Sequence, residues 1–302
     1  MIGGVKKRFN RSDINKLKEL GDCGPGINNG EKCEKKPIMP KEWHSNRTEW
    51  LSNFDIDAVL DQYDMIPDFK YLGAVPLDFD KDLGGGYCVS QLTCDLDVAK
   101  DYKRGIRKYG MVINLDTHDK GGSHWVSLFA NIKKGGVYFM DSYGYKPEKE
   151  IQKFMEKIRV DGNGMIESGL LYPKGEHNIP LKIRKVDKNT IEILEGEDKK
   201  LIENNFIGIN KKAYKIEKID KKKVELKVDG ELPEGITEGE GIGFRTFYNN
   251  NRFQFKTSEC GTFCIYFIVE LLKNRTFKDI ITNLISDDEI NKERLVYYRY
   301  KE

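Results

Sequence analysis

The chain has no run of about 18 consecutive apolar residues, so no segment reads as a membrane-spanning helix. Its first twenty residues, MIGGVKKRFNRSDINKLKEL, lack the apolar centre of a secretory signal. Neither sign of charge dominates: 51 basic against 49 acidic residues leave a net +2, too little for a strong non-specific pull toward nucleic acid. Cysteine is scarce, six in 302 residues, which excludes a small disulfide scaffold. There is no C-x-x-C pair, and His44, His118, His124 and His177 show no ligand spacing, so a zinc site is not expected. Cys23 and Cys33 keep a disulfide or metal half-site as the minor reading beside simple packing. Gly84-Gly85-Gly86 lacks the Lys-Ser/Thr of a phosphate cradle and reads as a turn. The 29 glycines follow no period, and no internal repeat is visible. A soluble chain in a reducing intracellular compartment is expected, where a reactive thiol stays free.

Residues 1–42 read as a polar arm with one short helix, from about Asp13 to Leu20, capped by Ser12. WLSNFDIDAVLDQYDMI follows as an amphipathic helix, with Leu51, Phe54, Val59 and Leu60 turned to a core. KYGMVINLD, HWVSLFANI and GVYFMDS read as strands, the last two joined into a hairpin by a Lys-Lys-Gly-Gly turn. A helix is expected from Pro147 to about Ile158. Over 162–243, short β-like runs alternate with Lys-rich turns, which predicts a small inserted β subdomain. Its basic run from Lys211 to Lys223 reads as a solvated face, with contact to an acidic partner or nucleic acid as the minor reading. RFQFK then reads as a strand, and CGTFCIYFIVELL is apolar all round, the mark of a buried helix. In the C-terminal segment, Asp287 and Asp288 fall near the start of the last helix, where its dipole favours acid.

Four residues carry the chemistry. Cys260 lies at the expected strand-to-helix junction, where free backbone N–H groups favour a thiolate. Gly261 after it leaves room for a substrate backbone. A thiol needs a base, and His124 supplies one. Pairing His124 with Asp141 centres the hairpin between residues 132 and 133, within the expected turn. The two side chains then stand across the ladder with Cβ atoms about 5 Å apart, where the carboxylate fixes the imidazole tautomer. Gln254, six residues before Cys260, offers a neutral N–H to a developing oxyanion. His118 and Asp119 form a lesser alternative pair in a loop.

His124-Trp125, Asp141-Ser142, Gln254 and Glu259-Cys260-Gly261-Thr262-Phe263 together resemble the adenain-like cysteine proteases, the family of the ubiquitin-like-protein (SUMO) proteases. WLSNFDIDAVLDQY is similar to their opening segment. With LGAVPLDFD and ISDDEINKERLVYYR, the chain looks most like the thiol proteases of large DNA viruses, among them the African swine fever virus polyprotein protease. The resemblance spans about 43–160 and 244–300 and is absent from the β insertion. It implies that Cys260 is the nucleophile, His124 the base, Asp141 its orienter and Gln254 an oxyanion donor. Trp125 and Trp50 would line the substrate channel.

The expected fold is therefore α+β and papain-like, a mixed sheet on a buried helix that carries the cysteine. The protease halves are 43–161 and 244–302, around the inserted subdomain. The expected activity is cysteine endopeptidase cleavage after small residues of Gly-Gly type, in maturation of a viral structural polyprotein. No cofactor or metal is required, the partner is a protein substrate, and the chain is expected to be monomeric, in host cytoplasm or virion. SUMO or ubiquitin-like deconjugation is the first alternative, and an acetyltransferase or a non-catalytic binding protein the next.

Overall fold

Strand residues buried on both sides need a sheet covered on both faces, and that is what the central strands form. The computed structural model describes residues 36–162, 165, 178–196, 201, 203–210, 212–242 and 244–299. The expected helix at Asp13–Leu20, Cys23, Cys33 and His177 lie outside these residues.

The first described helix, α1 (Asn53–Leu60), begins with a reciprocal cap between Ser52 and Asp55. It buries Ile56, Val59 and Leu60, as a helical stripe should. Phe54 departs from expectation and stands in solvent. The central sheet has the order β1-β4-β5-β6-β13, formed by Phe69–Pro76, Lys108–Asn114, Trp125–Asn131, Gly136–Met140 and Arg245–Tyr248. β1 runs parallel to β4 and β13 parallel to β6, whereas β4, β5 and β6 are mutually antiparallel. Every residue of β4, β5 and β6 is buried. On one face, Val112, Trp125, Phe129, Tyr138 and Met140 share a core with the helix Cys260–Leu272. On the other, Met111, Val126, Leu128, Val137 and Phe139 pack with the helix Lys149–Asp161. Alternate residues of each strand thus serve opposite cores.

The Cys260–Leu272 helix, α5 in a chain where α2 (Gln91–Cys94), α3 (Val98–Arg104) and α4 (Lys149–Asp161) precede it, buries every residue except Tyr266. It packs across β5. Each large apolar side chain removed from water there contributes about 1.5–3 kcal/mol, which fixes the position of its first residue, Cys260. Two short helices complete the described fold, α6 (Phe277–Thr282) and α7 (Asp287–Tyr297). Ser286 and Glu289 cap α7 reciprocally.

Between α4 and β13, six strands close into a barrel: β7 (Asn178–Lys185), β8 (Thr190–Gly196), β9 (Phe206–Ile209), β10 (Lys212–Asp220), β11 (Lys223–Lys227) and β12 (Ile236–Ile242). Closure leaves no open edge to aggregate. Ile179, Leu181, Ile183, Ile191, Ile193, Ile207, Ile216 and Val224 form a separate core inside it. The gain over sequence reading is β12, whose ITEGEGI is too rich in Gly and Glu to announce a strand. Its glycines are used sterically: a Cβ at Gly241 would lie 2.3 Å from Leu201.

One covalent feature was not expected. Cys88 and Cys94, six residues apart, are joined by a disulfide, while Cys260 and Cys264 are free and buried. The bond closes the segment between β3 (Tyr87–Cys88) and α2. β3 in turn pairs with β2 (Asp82–Gly84) in a small hairpin. The Gly84–Gly86 turn is its tip.

Candidate active site

His124 immediately precedes β5, and Asp141 immediately follows β6. Their side chains meet as expected, His124 Nε2 to Asp141 Oδ1 at 2.7 Å. The register that brings them together differs from the expected one. Ser127 pairs with Met140, so continuing the ladder sets His124 opposite Tyr143, and Asp141 one diagonal step away. Tyr143 uses that place to stack on the imidazole, with ring centroids 4.4 Å apart and planes 11° from parallel.

Asp141 is aimed by its own turn. Tyr143 N–H donates to Oδ1 at 2.9 Å and Tyr145 N–H to Oδ2 at 3.2 Å. The Asn249 carboxamide closes both backbone groups of Asp141, accepting from its N–H at 2.9 Å and donating to its C=O at 2.7 Å. The turn ends at Gly144, whose φ of +80° suits glycine. A Cβ there would strike the Asn251 backbone at 2.7 Å.

With Nε2 taken by Asp141, the other imidazole nitrogen is left for the Cys260 thiol, which lies near enough to raise the ring's basicity. Burial works against the charged imidazolium. The hydrogen bonds and negative charge of Asp141 and Cys260 outweigh it, and the His124 pKa is pushed up to about 9. Cys264, one turn further along α5, has the opposite fate. Burial holds its thiol well above the ordinary range, as suits a structural cysteine.

Gln254 is fully buried but is not in a strand; residues 252–255 carry no ladder. Their backbone is satisfied by particular groups instead. The Ser142 carbonyl accepts from the N–H groups of Phe253 and Gln254, both at 3.0 Å. Asp287 Oδ2 accepts from Phe255 N–H at 2.8 Å and Lys256 N–H at 3.1 Å. Ser142 Oγ donates to Gln254 Oε1 at 2.5 Å, and Gln254 Nε2 donates to the Lys256 carbonyl at 2.6 Å. One Nε2 hydrogen remains unassigned by these bonds. Asp287 thus acts on this loop as well as on its own helix.

Glu259, next to Cys260, is a second buried group that sequence reading noted without a role. Its carboxylate meets Arg294 Nε at 3.1 Å and Asn291 Nδ2 at 2.8 Å. Arg294 also donates to the carbonyls of Ser258 at 3.0 Å and Glu49 at 2.7 Å, and its guanidinium lies over Trp43. One buried cation therefore joins α7 to the turn before Cys260 and to the segment before Trp50.

That segment roofs the site. Trp125 is buried, and its indole N–H donates to the Leu51 carbonyl at 2.9 Å. Leu51 in turn lies on Gly261, where an added Cβ would find Leu51 Cβ and Cδ1 at 3.0 Å. Gly261 is therefore small to admit Leu51, and the expectation that it clears a path for a substrate backbone is corrected. Trp50 is nearly half exposed and borders an open groove of about 530 Å³, together with Trp125, Asn53, Val75, Asn114 and Val89. His118 also borders this groove. Its partner is Asp78, at 2.6 Å, whereas Asp119 accepts from Thr117, so the alternative His118–Asp119 pair does not form.

No family model matches the chain. A protein of Acanthamoeba polyphaga mimivirus, R355, named as a thiol protease, is 28% identical over 264 residues, which is 85% of this chain. The chain spans 59% of that relative's length. Two crystal structures of the ASFV pS273R protease share the fold. Their TM-scores are 0.53 at 16% identity and 0.50 at 18%, each covering 88% of this chain and 72% of the protease. In sequence the chain is similar to this mimivirus thiol protease, and in fold to the ASFV protease.

Proposed function

We propose that the chain is a cysteine endopeptidase that cuts after Gly-Gly-type sequences in viral structural polyproteins. The observation that supports this reading most is the buried Asp141–His124–Cys260 relay at the N-terminus of α5, with the imidazole held as a strong base. In the reaction, His124 takes the thiol proton of Cys260, and the thiolate attacks the scissile carbonyl. The remaining Gln254 Nε2 hydrogen and the Cys260 backbone N–H receive the oxyanion. The imidazolium then protonates the leaving amine, and water, deprotonated by His124, releases the acyl group. No cofactor takes part in these steps.

The Gly-Gly preference is supported by the roof. Leu51 packs on Gly261, next to the thiol, and its carbonyl is held by the Trp125 indole N–H, which favours substrate residues without side chains there. The test is incubation of candidate virion polyproteins with wild type and with Cys260→Ala, followed by sequencing of the new N-termini. New termini preceded by Gly-Gly, absent with Cys260→Ala, are expected. Cleavage that survives Cys260→Ala would end the assignment.

A further inference from the structure

The groove beside Trp125 ends at the disulfide-closed segment, where Val89 forms part of its wall. In a chain one-third charged, residues 82–94, DLGGGYCVSQLTC, carry a single charge, on Asp82. Three large apolar side chains of this segment stand in solvent: Leu83 at 55% exposure, Tyr87 at 72% and Leu92 at 51%. Trp50, which also lines the groove, is exposed as well, at 46%. Exposed apolar groups scattered singly need no explanation, but a cluster on a rigid support does.

The support is rigid. The Cys88–Cys94 bond closes the segment, and the Gln91 side chain accepts from Cys88 N–H. Its base is held by Ser90 N–H and Thr93 Oγ1, which both donate to the carbonyl of Phe79. Phe79 itself is fully buried. A backbone held this way meets a partner with less to order than a free loop.

We propose that the Cys88–Cys94 segment is a substrate exosite. Leu83, Tyr87 and Leu92 take apolar side chains of the polypeptide that continues along the groove, upstream of the residues at Cys260. The occupant is the substrate chain because Val89, inside this disulfide-closed segment, lines the same groove as Leu51 and Trp125. This inference rests on the protease reading given above, so its test keeps binding and cleavage apart.

The probes are a short fluorogenic peptide ending in Gly-Gly-aminomethylcoumarin and longer peptides with the same ending. In the longer set a single Leu or Phe is moved stepwise along an otherwise Ser/Asn extension. Binding is measured by fluorescence anisotropy on Cys260→Ala, and cleavage separately on the wild type. At one register or more, the apolar residue is expected to tighten binding roughly tenfold. The triple variant Leu83→Ser/Tyr87→Ser/Leu92→Ser, made in the Cys260→Ala chain, abolishes that gain and leaves the weak binding of the short peptide unchanged. All three side chains are exposed, so the variant keeps its unfolding midpoint. No register with tighter binding, or a gain that survives the triple variant, overturns the exosite. Failure of the wild type to cut the short peptide, with the anisotropy gain present, counts against the protease reading instead.

Discussion

The rings of His124 and Tyr143 lie face to face, and Arg252 stands over the same tyrosine, 4.9 Å from its centroid. The arrangement gives the imidazole a flat wall that limits rotation about its side-chain bonds while Asp141 holds its Nε2. A stack of this kind is worth about 0.5–1.5 kcal/mol, which corresponds to up to about tenfold in rate if it is used only to orient the base. Tyr143→Ala is therefore expected to lower kcat on a Gly-Gly peptide by roughly that factor with little change in KM. Tyr143→Phe, which keeps the ring, should retain wild-type kcat. Equal losses in both variants would assign the effect to the phenol oxygen rather than to the stack.

The Asp141 carboxylate is a main support of the raised His124 pKa, so Asp141→Asn should bring that pKa down from about 9 toward the ordinary 6.5. A folded-state pKa above the unfolded one means stability that is complete below pH 6.5 and lost as pH rises through 9. In the wild type, unfolding free energy should fall across this window, and Asp141→Asn should flatten that fall. The alkaline limb of activity should move the same way, to lower pH, with a loss of about 10²–10⁴-fold at neutral pH. NMR titration of the His124 ring, with urea unfolding at several pH values, tests both halves.

The meeting of His124 with Asp141 was legible in the sequence because hairpin geometry constrains residues on either side of a turn. The register was not. Ile132 is drawn fully into the core, and Asn131 Oδ1 accepts from Lys134 N–H, which centres the turn one residue later than expected. The buried helix was legible because nothing but burial tolerates CGTFCIYFIVELL. Asn249, Arg294 and the second role of Asp287 were not. Their partners lie 108, 35 and 32 residues away, and no local periodicity encodes such pairs. The Gln254 loop was misread as a strand because RFQFK alternates. Its backbone found partners in Ser142 and Asp287 instead of a neighbouring ladder.

Gly261 supplies a steric prediction. An alanine Cβ at 3.0 Å from two Leu51 atoms is tighter than most packed carbons, so Leu51 must give way by a few tenths of an ångström. Overpacking of this size costs about 1–3 kcal/mol, readable as a lower urea midpoint for Gly261→Ala. Because the Leu51 carbonyl is tied to the Trp125 indole, displacement of Leu51 should also raise KM for a Gly-Gly peptide. Pairing Gly261→Ala with Leu51→Ala should restore much of the stability but not the KM. Failure of the pair to recover any stability would remove Leu51 as the cause.

Arg294 makes the largest stability claim, since it and Glu259 are both almost wholly buried. Removing one partner leaves an uncompensated charge inside the protein, at a cost of about 3–5 kcal/mol. Arg294→Ala should therefore unfold at much lower urea than the wild type. Glu259→Gln should cost less, because Arg294 keeps its bonds to the Ser258 and Glu49 carbonyls. The double variant Glu259→Gln/Arg294→Met, which removes both charges, should be more stable than Arg294→Ala alone. Its Cys260 should still react with iodoacetamide, because the His124–Asp141 pair lies on other elements, but more slowly if the turn before Cys260 has loosened. A double variant no more stable than Arg294→Ala would show that the guanidinium contacts with Ser258, Glu49 and Trp43 matter more than its charge partner.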